Sequence, residues 1–175
     1  MARIYEGNSS GEGLKVGIVV SRFNEYITKA MLEGAVNELR RAGVQDTDIH
    51  VMWVPGAYEI PVACQALVEE KRPDTLITLG CIIRGETIHY EQIGQTTSDR
   101  VQRIALENKI PVGFGVITVE NLQQAIDRSG GKVGNKGRDA ARAAIEMTRL
   151  IQDIKEGIER EETLQGLIQE EFQNK

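Results

Sequence analysis

Four short apolar runs constrain this chain more than any other feature: Val16 to Val20, Ile49 to Val54, Thr75 to Leu79 and Val112 to Thr118. They are rich in β-branched residues and nearly continuous rather than alternating. That pattern predicts strands buried on both faces of a parallel sheet. Helical spacings fill the gaps. Ile27, Met31, Ala35 and Leu39 mark a first helix within Asn24 to Ala42, and Ala63, Ala66 and Leu67 a second. Ile93, Thr97, Val101, Ile104 and Ala105 mark a third, and Leu122, Ala125 and Ile126 a short fourth. Ala140, Ala144, Met147, Ile151 and Ile154 mark a fifth. Strands alternating with helices predict an α/β fold with right-handed crossovers.

The 175 residues suit one domain with room for a real core. No apolar run reaches the roughly 20 residues of a membrane span. The start, MARIYEGNSSGEGLK, lacks the basic-then-apolar order of a signal peptide, so a cytoplasmic protein is expected. The net charge is −5, and −4 of it falls between Gln152 and Lys175. A concentrated basic face is absent, which argues against nucleic acid as a partner. Cys64 and Cys81 sit in apolar contexts without CxxC spacing and read as buried thiols. With only His50 and His89 besides, a zinc cluster is not expected.

Ligands of such folds bind beyond the carboxyl ends of the strands, so the strand-exit loops are the segments to read. The loop Arg84-Gly85-Glu86-Thr87-Ile88-His89 joins a buried strand to an amphipathic helix. Gly85 permits a tight turn and Thr87 is placed to cap the helix. Backbone N–H groups there would hold an anion beside His89, a residue type suited to passing protons. A plain helix cap with a surface histidine explains that loop equally well. Pro55-Gly56-Ala57-Tyr58-Glu59-Ile60-Pro61 reads either as a rigid turn or as a preformed ligand wall. Phe23, just past the first strand, is placed to stack on a flat heterocycle or to join the core.

Residues 128–137, RSGGKVGNKG, look like a phosphate loop but fail GxxxxGK[ST], because Gly137 follows Lys136. Gly113-Phe114-Gly115 is not a dinucleotide fingerprint either. The glycine-rich segment reads as a flexible joint between helices, with Asn135 capping the fifth and Arg128 available to clamp an anion. Residues 2–14, with the β-prone Arg3-Ile4-Tyr5, and the tail after Lys155 fit poorly into a compact monomer. The tail's apolar stripe at Leu164, Leu167, Ile168 and Phe172 suits either a short amphipathic helix or a frayed end.

Five segments, in order, are SRFNEYIT, WVPGAYEIPVA, LITLGCIIRGETIHYE, IPVGFGVITVEN and QAIDRSGGKVGNKGRDAA. Each is weak alone; together they resemble 6,7-dimethyl-8-ribityllumazine synthases, from about Leu14 to Ile154. The resemblance implies a three-layer sandwich around a four-stranded parallel, flavodoxin-like sheet. It implies that the N-terminal strand is donated to a neighbouring subunit. It implies a condensation of 5-amino-6-(D-ribitylamino)uracil with 3,4-dihydroxy-2-butanone 4-phosphate, without metal or organic cofactor.

By the same resemblance, Phe23 stacks on the pyrimidine. Ala57, Tyr58 and Glu59 bind its edge and the ribityl chain, and Cys81, Ile82 and Ile83 offer backbone contacts. Glu86 and Thr87 hold phosphate, Glu86 through its N–H with the carboxylate pointing away. His89 transfers protons. Phe114 and Arg128 come from an adjacent subunit, with Lys136 a second cation. Gln92 stands where the family more often has an aromatic. The implied assembly is a homopentamer, with a sixty-subunit icosahedral shell as its larger form and riboflavin synthase as an associated partner. The expected domain covers residues 1–155, followed by an acidic tail at 156–175. A noncatalytic shell or flavin-binding relative would show a degraded site, whereas Phe23, Glu59, Thr87, His89 and Arg128 all stand in place.

Overall fold

Every apolar run becomes a strand in the computed structural model, which describes residues 1–162. In chain order the strands are β1 (Ala2–Ile4), β2 (Val16–Ser21), β3 (Ile49–Val54), β4 (Thr75–Ile83) and β5 (Val112–Val119), then the short β6 (Ser129–Gly131), β7 (Gly134–Asn135) and β8 (Arg160–Glu162). The helices are α1 (Glu25–Arg41), α2 (Ile60–Lys71), α3 (His89–Asn108), α4 (Leu122–Arg128) and α5 (Lys136–Glu156). β2 to β5 form one parallel sheet in the order β3-β2-β4-β5. β2 is buried throughout and β4 nearly so, as two central strands should be. The edge strands β3 and β5 are buried only in part.

Strand alternation splits the core between two faces. Val16, Ile18 and Val20 of β2 pack with Ile27, Met31 and Leu39 of α1 and Ala144 and Ile145 of α5. Val19 faces the other way, toward Leu67 of α2 and Val101 and Ile104 of α3. Each fully buried aliphatic side chain contributes about 1.5–3 kcal/mol. The result is the expected α/β sandwich, with helices on both sides of a parallel sheet. Among the described residues no helix is long and apolar enough to cross a membrane.

Three sequence expectations change. The fifth helix buries Gly137, Ala140, Ala141, Ala144, Ile145 and Thr148, while Met147 and Ile154 are about half exposed. Small residues face inward because α5 lies very close to its neighbours. A Cβ on Gly137 would stand 2.0 Å from the Met31 carbonyl oxygen of α1. In α2, likewise, Ala63 and Leu67 are buried but Ala66 is exposed.

The glycine-rich joint is a folded hairpin, β6 against β7, with Gly130 and Gly134 at positive φ. Asn135 anchors it. Its Oδ1 accepts from the Gly137 and Arg138 N–H groups, the expected helix cap. Its Nδ2 donates to the carbonyls of Ala30 and Ser129.

The start of the tail is ordered too. Gly157 ends α5 in a left-handed conformation, and β8 then pairs antiparallel with β1. Arg3 pairs with Glu159 at 3.3 Å, Arg160 with Glu6 at 2.8 Å, and the Tyr5 hydroxyl donates to Glu159. Residues 2–4 therefore stay out of the chain's own central sheet. The stripe at Leu164, Leu167, Ile168 and Phe172 lies outside the described residues.

Candidate active site

At its carboxyl end the sheet divides between β2 and β4. Beyond β2, the N–H groups of Arg22 and Phe23 donate to the carbonyls of Val54 and Pro55, so this chain end follows β3. Beyond β4, the Arg84 N–H donates to the Val119 carbonyl, so that end follows β5. Such a switch point is where open α/β sheets bind ligands. A cavity of about 1000 Å³ opens there.

Four chain segments line it. Phe23 comes from the β2 exit, its ring 69% exposed, so the side chain serves the cavity rather than the core. Ala57, Tyr58 and Glu59 form a single 3₁₀ turn after extended Gly56. The buried hydroxyl of Thr97 donates to the Ala57 carbonyl at 3.1 Å and fixes that turn to α3. Cys81, Ile82 and Ile83 line the cavity from the end of β4. Gly85, Thr87 and His89 complete it at the start of α3.

That helix start departs from expectation. The residue at the cap is Ile88, not Thr87, and no side chain caps this end. Isoleucine has no acceptor to offer the first-turn N–H groups. Glu91 gives its N–H to the Ile88 backbone carbonyl at 3.1 Å, and the helix presents the remaining first-turn donors, with the positive end of its dipole, to any anion in the loop. His89 is the first helical residue and is exposed to the cavity.

A model of the 6,7-dimethyl-8-ribityllumazine synthase family matches residues 13–152. The chain belongs to that family. As a lumazine synthase family member it is a transferase of riboflavin biosynthesis. The match begins just before β2 and ends within α5, so β1 and β8 both lie beyond it.

One group on the wall of the lumazine synthase cavity is plainly inert. Burial pushes the Cys81 thiol up to about 11, so it stays protonated near neutrality and is no nucleophile. Arg84 turns to Glu120, at 2.9 Å, and to the Tyr90 ring, 5.9 Å from its centroid. Tyr90 donates its hydroxyl to Glu91, and that hydrogen bond raises the phenol above its ordinary range.

The remaining expected residues lie elsewhere on the chain. Glu86 is exposed and does not line the cavity. Phe114 stands on edge strand β5 opposite Thr78, 45% exposed. Arg128 ends α4 and donates to the Gln124 carbonyl at 3.2 Å. Lys136 begins α5 and pairs with Asp139 at 3.0 Å. Neither cation reaches the cavity of its own chain.

Conversely, Tyr90, Gln92, Ile93 and Thr96 line the cavity without having been singled out as ligand contacts. The signal was available. Positions three, four and seven beyond His89 share its helical face. By spacing alone Ile93 belongs to the core stripe of the third helix.

Proposed function

We propose that this protein condenses 5-amino-6-(D-ribitylamino)uracil with 3,4-dihydroxy-2-butanone 4-phosphate, giving 6,7-dimethyl-8-ribityllumazine, inorganic phosphate and water. The observation that carries this reading is the cavity at the sheet's switch point. It gathers an exposed aromatic ring, a turn rich in backbone groups, an uncapped helix start and a histidine.

The roles follow from that placement. Phe23 stacks on the pyrimidine, while Ala57–Glu59 and the Cys81–Ile83 backbone bind its edge and the ribityl chain. The Thr87 N–H group and the start of α3 hold the phosphate. The substrate's amine attacks the ketone, and one water leaves as the imine forms. Phosphate is then eliminated, and ring closure releases a second water. His89 moves protons in these steps, a contribution of about 10²–10⁴-fold. Orientation of the two reactants supplies up to roughly 7–11 kcal/mol. No step needs a metal or organic cofactor.

Phe114, Arg128 and Lys136 enter from an adjacent subunit. Support comes from the open cleft and from Phe114 standing half exposed at the sheet edge. In this reading the protein is a cytoplasmic homopentamer or sixty-subunit shell, with β1 donated to a neighbour's sheet and riboflavin synthase as an associated partner. Residues 1–155 form the enzyme domain and 156–175 an acidic appendage. Incubating purified protein with both substrates tests the reaction. The expected result is a fluorescent lumazine with stoichiometric phosphate; absence of both from an assembled oligomer contradicts it.

A further inference from the structure

β2 and β4 pair in register from Val16↔Thr75 to Val20↔Leu79. Past that rung the two strands part. Arg22 and Phe23 give their N–H groups to β3's exit, while Cys81 to Ile83 continue along β5. The Cys81 carbonyl therefore faces a gap where the next rung of the β2–β4 ladder would have been, in a residue only 2% exposed. A buried carbonyl there needs a donor.

Asn24 supplies it. Its Nδ2 donates to the Cys81 oxygen at 2.9 Å, spanning the split. Asn24 occupies the N-cap position of α1, where an asparagine ordinarily caps with its side-chain oxygen. Here no side-chain cap bond forms. The backbone is left-handed, φ 58 and ψ 45, a conformation asparagine tolerates better than most residues. That turn swings the amide away from the helix and across to β4. Thr28 locks the other side of the turn by donating to the Ser21 carbonyl at 2.7 Å.

Phe23 is thus held from both directions, by its own N–H on Pro55 and by its neighbour's amide on Cys81. Its ring is largely exposed, so packing does not fix it. We infer that Asn24 is a positioning residue that sets the width of the cleft between the Phe23 ring and the Cys81–Ile83 backbone, and so tunes recognition of the flat heterocycle. This rests on the functional reading above.

The test separates the side chain from the backbone turn. Asn24→Gly keeps the left-handed conformation available and removes the amide. Asn24→Asp keeps size and turn but replaces the donor with an acceptor. Binding of 6,7-dimethyl-8-ribityllumazine is measured by fluorescence for wild type, both variants, Phe23→Ala, and the double variant carrying Phe23→Ala with Asn24→Gly.

Either Asn24 change is expected to weaken binding about tenfold, and Asn24→Gly in the Phe23→Ala background by less than about threefold, because the two act through one contact. KM for the ribitylaminouracil should rise while KM for the butanone phosphate, anchored at the start of α3, stays within about twofold. A lowered melting temperature with unchanged lumazine affinity overturns the inference, as does an equal loss with and without the Phe23 ring. Wild-type protein that binds no lumazine overturns the functional reading itself, and this inference with it.

Discussion

The cleft wall formed by the exits of β2 and β3 and the start of α3 differs sharply from the edge formed by β5, α4 and the start of α5. Both carry residues of the proposed site. The first wall is complete within one chain: Thr97 ties its turn, Asn24 bridges its split, and its ligand-facing groups converge on one cavity. The second is equally well built, with Asn135 joining α1, β6 and α5, yet none of Phe114, Arg128 and Lys136 lines that cavity. The difference teaches that order and completeness are separate properties. The second edge is ordered by Asn135 although none of its proposed site residues lines the cavity of its own chain.

The strongest way to break this comparison is to remove the charge from one side and the proton carrier from the other. Arg128→Ala should lower kcat/KM by about 10²–10⁴-fold, at least as much as His89→Ala, because phosphate holding and orientation dominate. Steady-state kinetics with both substrates checks the ranking, and a far larger loss at His89 reverses it.

A structural change to the outward edge comes next. Asn135→Ala deletes a helix cap and leaves the part-buried carbonyls of Ala30 and Ser129 without that donor. It should cost about 2–4 kcal/mol of stability by denaturant titration. A loss below 1 kcal/mol would mean the edge is not rigidly held.

The two buried thiols act only at high pH. Burial holds Cys64 at about 12 and Cys81 at about 11, against 9.0 for an unburied thiol. The folded state then keeps protons that the unfolded state releases. Stability is unaffected below about pH 9 and falls as pH rises toward 11, by about 1.4 kcal/mol per pH unit for each thiol. Cys81→Ala should remove its share of that slope while leaving the activity profile between pH 6 and 8 unshifted. A shifted activity profile would make Cys81 reactive. Smallest of all, Lys136→Ala breaks only a surface pair with Asp139, worth about 0–1 kcal/mol. Its kcat/KM should fall less than that of Arg128→Ala.

Much of this architecture was legible in the residues. Continuous β-branched runs announced the four strands of the parallel sheet, although burial on both faces holds only for β2 and β4 and not for the edge strands. Gly80 interrupts the apolar run after Leu79, whereas β4 continues to Ile83. The buried face of α5 was misread because glycine and alanine carry little hydrophobic signal, yet they are what close packing demands. Within the site, Phe23, Ala57–Glu59, Cys81–Ile83, Thr87 and His89 were traceable to strand exits, and all line the cavity. Asn24 was not traceable. Its role depends on a left-handed turn and a partner 57 residues away, which no local pattern encodes.

The central claim is that the two walls meet only between subunits, and mixing inactive variants tests it most directly. His89→Ala and Arg128→Ala proteins are dissociated together, reassembled at equal amounts and assayed for lumazine formation. If each site takes His89 from one chain and Arg128 from its neighbour, random mixing restores both in about one quarter of sites. Activity should recover to about that fraction of wild type. Reassembled oligomers as inactive as either parent would contradict the account and place both residues in a site built by a single chain.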